Sequence, residues 1–238
     1  MNTVYSNIGQ KERETQDRVV ALFCSELGYE YLGNWADREG NSNIEEALLR
    51  KYLAGKGYSD ALIARSLGQL RSTANNFQES LYTNNKNVYG LLRYGIKVKE
   101  EAGKNSQTVE LVDWKHPEKN QFGIAQEVTI WGNREKRPDI VLYVNGIALG
   151  VLELKRSTVS LGDGIRQSIA NQQKEFIQAF FATIQLVLAG NDTEGLRYGT
   201  MGTPEKYFLK WKEGEENRNL LDQYLLKLCE KKRFLEIL

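Results

Sequence analysis

The chain has 238 residues, 41% of them hydrophobic and 26% charged, with a formal net charge of +1. That is ordinary for a soluble globular protein of one sizeable domain, with or without an appendage, and any basic surface for nucleic acid has to be local. Two cysteines without C-x-x-C spacing and a single histidine, His116, exclude a Cys/His metal centre; Cys24 and Cys229 read as reduced core thiols of a cytosolic protein.

The polar start MNTVYSNIGQKERETQ is not a signal peptide. No apolar run approaches the ~20 residues of a membrane span. A first helix is predicted from about Gln10 to Leu27, stopped by Gly28. Ile8, Glu12, Gln16, Val19, Val20, Phe23 and Leu27 share one face, with Glu12 at its polar end and Glu14 on the opposite face. Residues 42–82 read as a helical insertion of two or three short helices. One starts at Ser42 with Glu45 completing a capping box, another at Ser59.

From Tyr89 to Lys155 the pattern reads as β, in LLRYGIKVK, SQTVELVDW, FGIAQEVTIW and two further apolar runs. DGIRQSIANQQKEFIQAF is helical, with Asp163 as a candidate N-cap, and TIQLVLAGN is a strand ended by Gly190-Asn191. After LRYGT and YFLKW the chain turns helical and stops in mid-pattern, which leads to the expectation of a longer parent protein. The order implies a mixed α/β (α+β) fold around one central sheet.

The stretch RPDIVLYVNGIALGVLELKRS, residues 137–157, concentrates the chemistry. Asn-Gly between alternating hydrophobics marks a hairpin, because a type I′ turn needs positive φ twice. Both strands are apolar on both faces, which places the hairpin centrally. Asp139 opens the first strand; Glu153 and Lys155, two apart, share a face at the end of the second. A plain two-residue turn pairs Asp139 with Leu152 and puts it on the wrong face. A three-residue loop, Asn145 to Ile147, or a bulge near Pro138-Asp139 is therefore expected. Two carboxylates suit a hard cation such as Mg²⁺, with the Leu154 carbonyl as a further ligand. Lys155 is then placed to orient or deprotonate the attacking water, or to neutralise a phosphate. The bland alternative is a set of ordinary strand-end charges.

Pro138-Asp139 followed by Glu153-Leu154-Lys155 resembles the PD-(D/E)xK nuclease superfamily. RPDIVLYVNGIALGVLELK, with LGYEYLG, RYGIKV, DGIRQSIANQQ and QLVLAGNDTEGLRYGT, resembles more narrowly the N-terminal nuclease domain of the restriction (motor) subunit of type I restriction-modification enzymes. The resemblance implies a restriction-endonuclease-like α-β-β-β-α-β core over residues 1–200, with 201–238 connecting toward a helicase-like motor. It implies Asp139, Glu153 and Lys155 as catalytic residues, and Glu12, with Glu14 as runner-up, as a helix carboxylate. The family's Q-x-x-x-Y motif implies a helix that contacts DNA or couples to the motor, here Gln167 with Asn171 where the family has tyrosine. Arg166 and Lys174 extend that polar face, whose bland reading is a solvated helix surface.

No G-x-x-x-x-G-K-[ST] loop is present, so ATP binding is not encoded in this chain. The implied partners are double-stranded DNA, the modification (methyltransferase) and specificity subunits, and the motor in cis. The implied setting is the prokaryotic cytoplasm. A non-catalytic docking module of the same fold and a stand-alone repair nuclease are the competing readings.

Overall fold

The computed structural model describes residues 3–214 and 218–238, with side chains from Arg13 onward. The N-terminal half holds α1 (Thr3–Ser25), β1 (Glu30–Asn34), α2 (Glu46–Gly55), α3 (Asp60–Ala74), α4 (Leu81–Tyr94), β2 (Ile96–Lys99) and β3 (Ser106–Val109). There follow β4 (Phe122–Gln126), β5 (Ile140–Val144), β6 (Ile147–Leu154), α5 (Leu161–Asn171), β7 (Leu186–Asn191), β8 (Gly195–Gly199), β9 (Leu209–Lys210), α6 (Leu220–Leu228) and α7 (Lys231–Ile237). Among the described residues, one seven-stranded mixed sheet runs β1-β4-β5-β6-β7-β8-β9, and β2 and β3 form a separate ribbon. β6 and β7 are parallel, joined across α5, while β4, β5 and β6 are antiparallel neighbours. The unit α1-β4-β5-β6-α5-β7 is the restriction-endonuclease-like order α-β-β-β-α-β.

The sheet separates two cores. Val19 and Phe23 of α1, Leu49 and Leu53 of α2, Leu67 of α3, and Leu225 and Phe234 of the last two helices pack against one face. Ile165 of α5 with Phe180 and Phe181 covers the other. Every residue of β5, β6 and β7 is buried, as continuous apolar runs demand. Residues 201–238 add β9 to the sheet edge and place Leu221, Leu228 and Phe234 in the first core. Among the described residues no helix is long and apolar enough to cross a membrane.

Four local expectations change. The β region does not begin at Tyr89: α4 runs on to Tyr94, because Val88 and Leu92 face the core at helical spacing and Gly95, at φ 73°, ends it. Ser42 does not cap α2; its N–H donates to Glu45 Oε1 at 3.0 Å, so half of the capping box forms inside a loop before the helix begins at Glu46. Ser160, not Asp163, caps α5, accepting from the Gly162 N–H and leaving Asp163 in the first turn. The C-terminal helical run breaks into α6 and α7, where Glu230 caps the second helix by accepting from the Lys232 and Arg233 N–H groups.

Cys229 is fully buried, and burial pushes its thiol far up; Cys24 is half-buried and shifted up by the same cause. In a thiol titration with a disulfide reagent, Cys24 is expected to react in the native protein and Cys229 only after unfolding. Equal native rates contradict the packing of α6.

Candidate active site

The hairpin turn is built from the inside. Asn145 (φ 53°) and Gly146 (φ 82°) both take the left-handed conformation that a type I′ turn requires. The turn is not a solvent-exposed tip. Asn145 is fully buried, and its Nδ2 donates to Leu111 O at 2.9 Å and Asn120 Oδ1 at 2.8 Å, while its Oδ1 accepts from the Gln121 N–H at 2.7 Å. The turn is thereby tied to the residues that lead into β4.

The loop has two residues, with Val144 opposite Ile147. The extra residue needed to bring Asp139 round lies elsewhere than either place expected. It is in β6 at Leu149, where Tyr143 pairs with Ala148 but Leu142 pairs with Gly150. The bulge settles there because segments outside the ladder take up the local backbone groups. Gln185 N–H donates to Leu149 O at 2.8 Å, Thr183 Oγ1 to Ala148 O at 2.7 Å, and Ala148 N–H to Asn43 O at 2.9 Å. Ile147 and Leu149 face the first core, yet so do Leu152 and Leu154, so the parity of β6 changes at the bulge. Val151 and Glu153 then share the α5 side with Val141 of β5, and register carries Asp139 onto that same side, opposite Glu153.

Asp139 is half-buried and held at three points. Its Oδ2 accepts from the Leu154 N–H at 2.7 Å. Its carbonyl accepts from the Glu127 N–H at 2.8 Å and from Gln16 Nε2 at 2.9 Å. Glu153 is 3% exposed and lies 2.9 Å from Lys155 Nζ. Lys155 Nζ also donates to Gln167 Oε1 of α5 at 3.0 Å. Gly164, one turn earlier on α5, lets the helix close over the pair: a Cβ there meets Lys155 Cγ at 3.3 Å and Glu153 Cγ at 3.6 Å. Asp139, Glu153 and Lys155 are thus brought together at one end of the sheet. Two facing carboxylates with a peptide between them are oxygen donors of the kind a hard divalent cation takes. Among the described residues no group of three or more His, Cys, Asp or Glu is placed to hold a metal ion.

Residues 9–207 match the family described as Type I restriction enzyme R protein N terminus. The chain belongs to this family. It is 29% identical over 141 residues (56% of the chain) to the endonuclease subunit assigned to type I restriction enzyme MjaIXP of Methanocaldococcus jannaschii. It is 28% identical over 143 residues (57% of the chain) to the type I restriction enzyme HindI endonuclease subunit of Haemophilus influenzae. The type I restriction enzyme SsaAORF53P endonuclease subunit of Staphylococcus saprophyticus shares 25% over 119 residues, 49% of the chain. Each match takes up 13% of the relative's own length.

In this member of the R-protein N-terminal family the other expected residues scatter. Gln167 turns inward to Lys155. Arg166 is exposed and paired with Asp163 at 2.5 Å and Glu205 at 2.6 Å. Asn171, the last residue of α5, is 2% exposed and turned into the protein, while Lys174 lies past the helix end on the surface. The four therefore do not make one polar helix face, because α5 stops at Asn171 and packs that residue inward. The Glu12 side chain lies outside the described residues; Glu14 is exposed.

Sequence reasoning passed over Gln16, which sits on the apolar stripe of α1 and reaches the Asp139 carbonyl. A lone buried amide on such a stripe was the available signal. Gln16→Leu is expected to cost about 1 kcal/mol in a urea titration, since the carbonyl keeps its Glu127 partner. An unchanged midpoint contradicts the contact.

Proposed function

We propose that the chain is the divalent-metal-dependent endonuclease domain of a type I restriction enzyme, hydrolysing phosphodiester bonds of duplex DNA. One observation carries this reading: the hairpin's bulge puts Asp139 and Glu153 face to face, with Lys155 on Glu153. The Asp139 and Glu153 carboxylates, with the Leu154 carbonyl, are the groups to hold Mg²⁺. When bound, Mg²⁺ supplies polarisation of the phosphodiester and acidification of a water. Asp139 is kept at its post by the Leu154 N–H and the Gln16 amide. Lys155, held between Glu153 and Gln167, presents an ammonium that orients the attacking water or offsets charge on the phosphate. Arg166 and Lys174 remain surface cations suited to backbone phosphates rather than to reading bases. Cutting is coupled to an ATP-driven motor in the longer subunit, and sequence choice belongs to the modification and specificity subunits of a cytoplasmic complex.

Calorimetric titration with Mn²⁺ tests the metal reading. Saturable binding is expected for the wild-type chain and at least about tenfold weaker binding for Glu153→Gln, which keeps the shape but not the charge. Identical titrations of the two proteins sink the assignment.

A further inference from the structure

A cleft of about 500 Å³ borders Asp139, and its walls include Arg13 and Gln16 of α1, Asp37, Glu127 and Arg137. Sequence reasoning placed no DNA contact there. Two arginines stand against three carboxylates, counting Asp139, so the described lining carries a formal charge of −1. A lining of that sign repels a phosphate. One divalent cation held at Asp139 reverses it to +1, and the same cleft then attracts one.

Arg137 is prepared for such a ligand. It is half-exposed, and its Nε lies 2.8 Å from Glu127 Oε2. Glu127 is itself held: it takes the left-handed conformation at φ 52°, sparsely populated for a residue with a side chain, while its N–H donates to the Asp139 carbonyl. Glu127 thus touches both partners, Arg137 through its carboxylate and the Asp139 carbonyl through its N–H. A guanidinium, half-exposed in the cleft wall, is a planar fork of the kind that fits two phosphate oxygens.

We propose that Arg137, with Arg13 of the same cleft, holds a phosphate of the DNA strand beside Asp139, and that the cleft accepts this phosphate only once a divalent cation has loaded. The inference rests on the nuclease reading and adds to it an order, metal before DNA. It also gives Glu127 two tasks: orienting Arg137 and, by its charge, keeping the metal-free cleft closed to anions.

Fluorescence anisotropy of a short labelled duplex, with the 238-residue chain in Ca²⁺ or in chelator, tests the proposal. Wild type is expected to bind more tightly in Ca²⁺. Arg137→Gln is expected to lose about tenfold in Ca²⁺ and to lower the salt slope by about one. Glu127→Gln is expected to bind better than wild type in chelator. Circular dichroism controls for folding, and Arg13→Gln is the second variant, expected to weaken Ca²⁺-supported binding in the same way. Wild-type binding that ignores Ca²⁺, or Arg137→Gln and Arg13→Gln proteins that bind like wild type, overturns the proposal while leaving the nuclease reading standing. A wild-type chain that binds no duplex under either condition overturns the proposal, while the nuclease reading falls only with identical Mn²⁺ titrations of wild type and Glu153→Gln.

Discussion

Asp139→Asn is expected to abolish DNA cleavage by the assembled enzyme, by roughly 10³-fold or more, while leaving the fold intact. The substitution suits the geometry. The Leu154 N–H that donates to Asp139 Oδ2 at 2.7 Å can donate to an amide oxygen in the same place, and the two contacts to the Asp139 carbonyl involve main chain only. What is removed is the negative charge, and with it the ability to hold a hard cation against Glu153. Lys155→Ala is a less clean probe. It takes away the ammonium that meets Glu153 at 2.9 Å, and Glu153 is 3% exposed, so instability and lost chemistry arrive together. Plasmid cleavage by the full subunit with its partner subunits, Mg²⁺ and ATP gives the readout, with thermal unfolding measured in parallel. Cleavage near the wild-type rate by a folded Asp139→Asn enzyme removes Asp139 from the chemistry.

Gly146→Ala is expected to be the most damaging single methyl in the hairpin. At φ 82° an alanine is strained by about 1–2 kcal/mol. The new Cβ also meets Leu48 Cβ at 2.7 Å, Glu45 O at 2.8 Å and Leu49 N at 2.8 Å, two of them main-chain atoms at the start of α2 that cannot rotate aside. Overpacking of this kind costs a further 1–3 kcal/mol or so. A combined loss of about 2–5 kcal/mol is a large fraction of a domain's stability of roughly 5–15 kcal/mol. A guanidinium titration reads it directly. Gly103, also at positive φ but with open space around its missing Cβ, is the comparison: alanine there is expected to cost only the backbone strain. Equal losses at the two glycines contradict the buried turn.

The hairpin, its central position and the three charged residues were legible because each rests on local rules: Asn-Gly for the turn, continuous apolar runs for a doubly covered strand, and a two-residue spacing for a shared face. Even the need for one extra residue was legible, as a matter of parity. Its location was not, because Leu149 bulges only where Gln185, Thr183 and Asn43 are at hand to satisfy the backbone, and those partners come from remote segments. The same holds for Gln16, whose partner is a carbonyl 123 positions away. The reach of α4 to Tyr94 was missed for a different reason: LLRYGIKVK carries both periods at once, and Gly95 decides between them only once α4 is capped. The expected polar face of α5 is not continuous, because the helix ends at Asn171 and that residue is buried.

The bulge at Leu149 also limits how this segment tolerates changes of length. Strand faces alternate one residue at a time, so removing Leu149 would restore an even ladder between β5 and β6 and turn Glu153 and Lys155 toward the first core, away from Asp139. Inserting one residue between Gly150 and Leu152 would do the same. Single-residue deletions and insertions in 147–152 should therefore silence the site and turn two charges into the apolar first core, whereas changes by two preserve the facing. The hairpin behaves in this respect as a reading frame with a period of two.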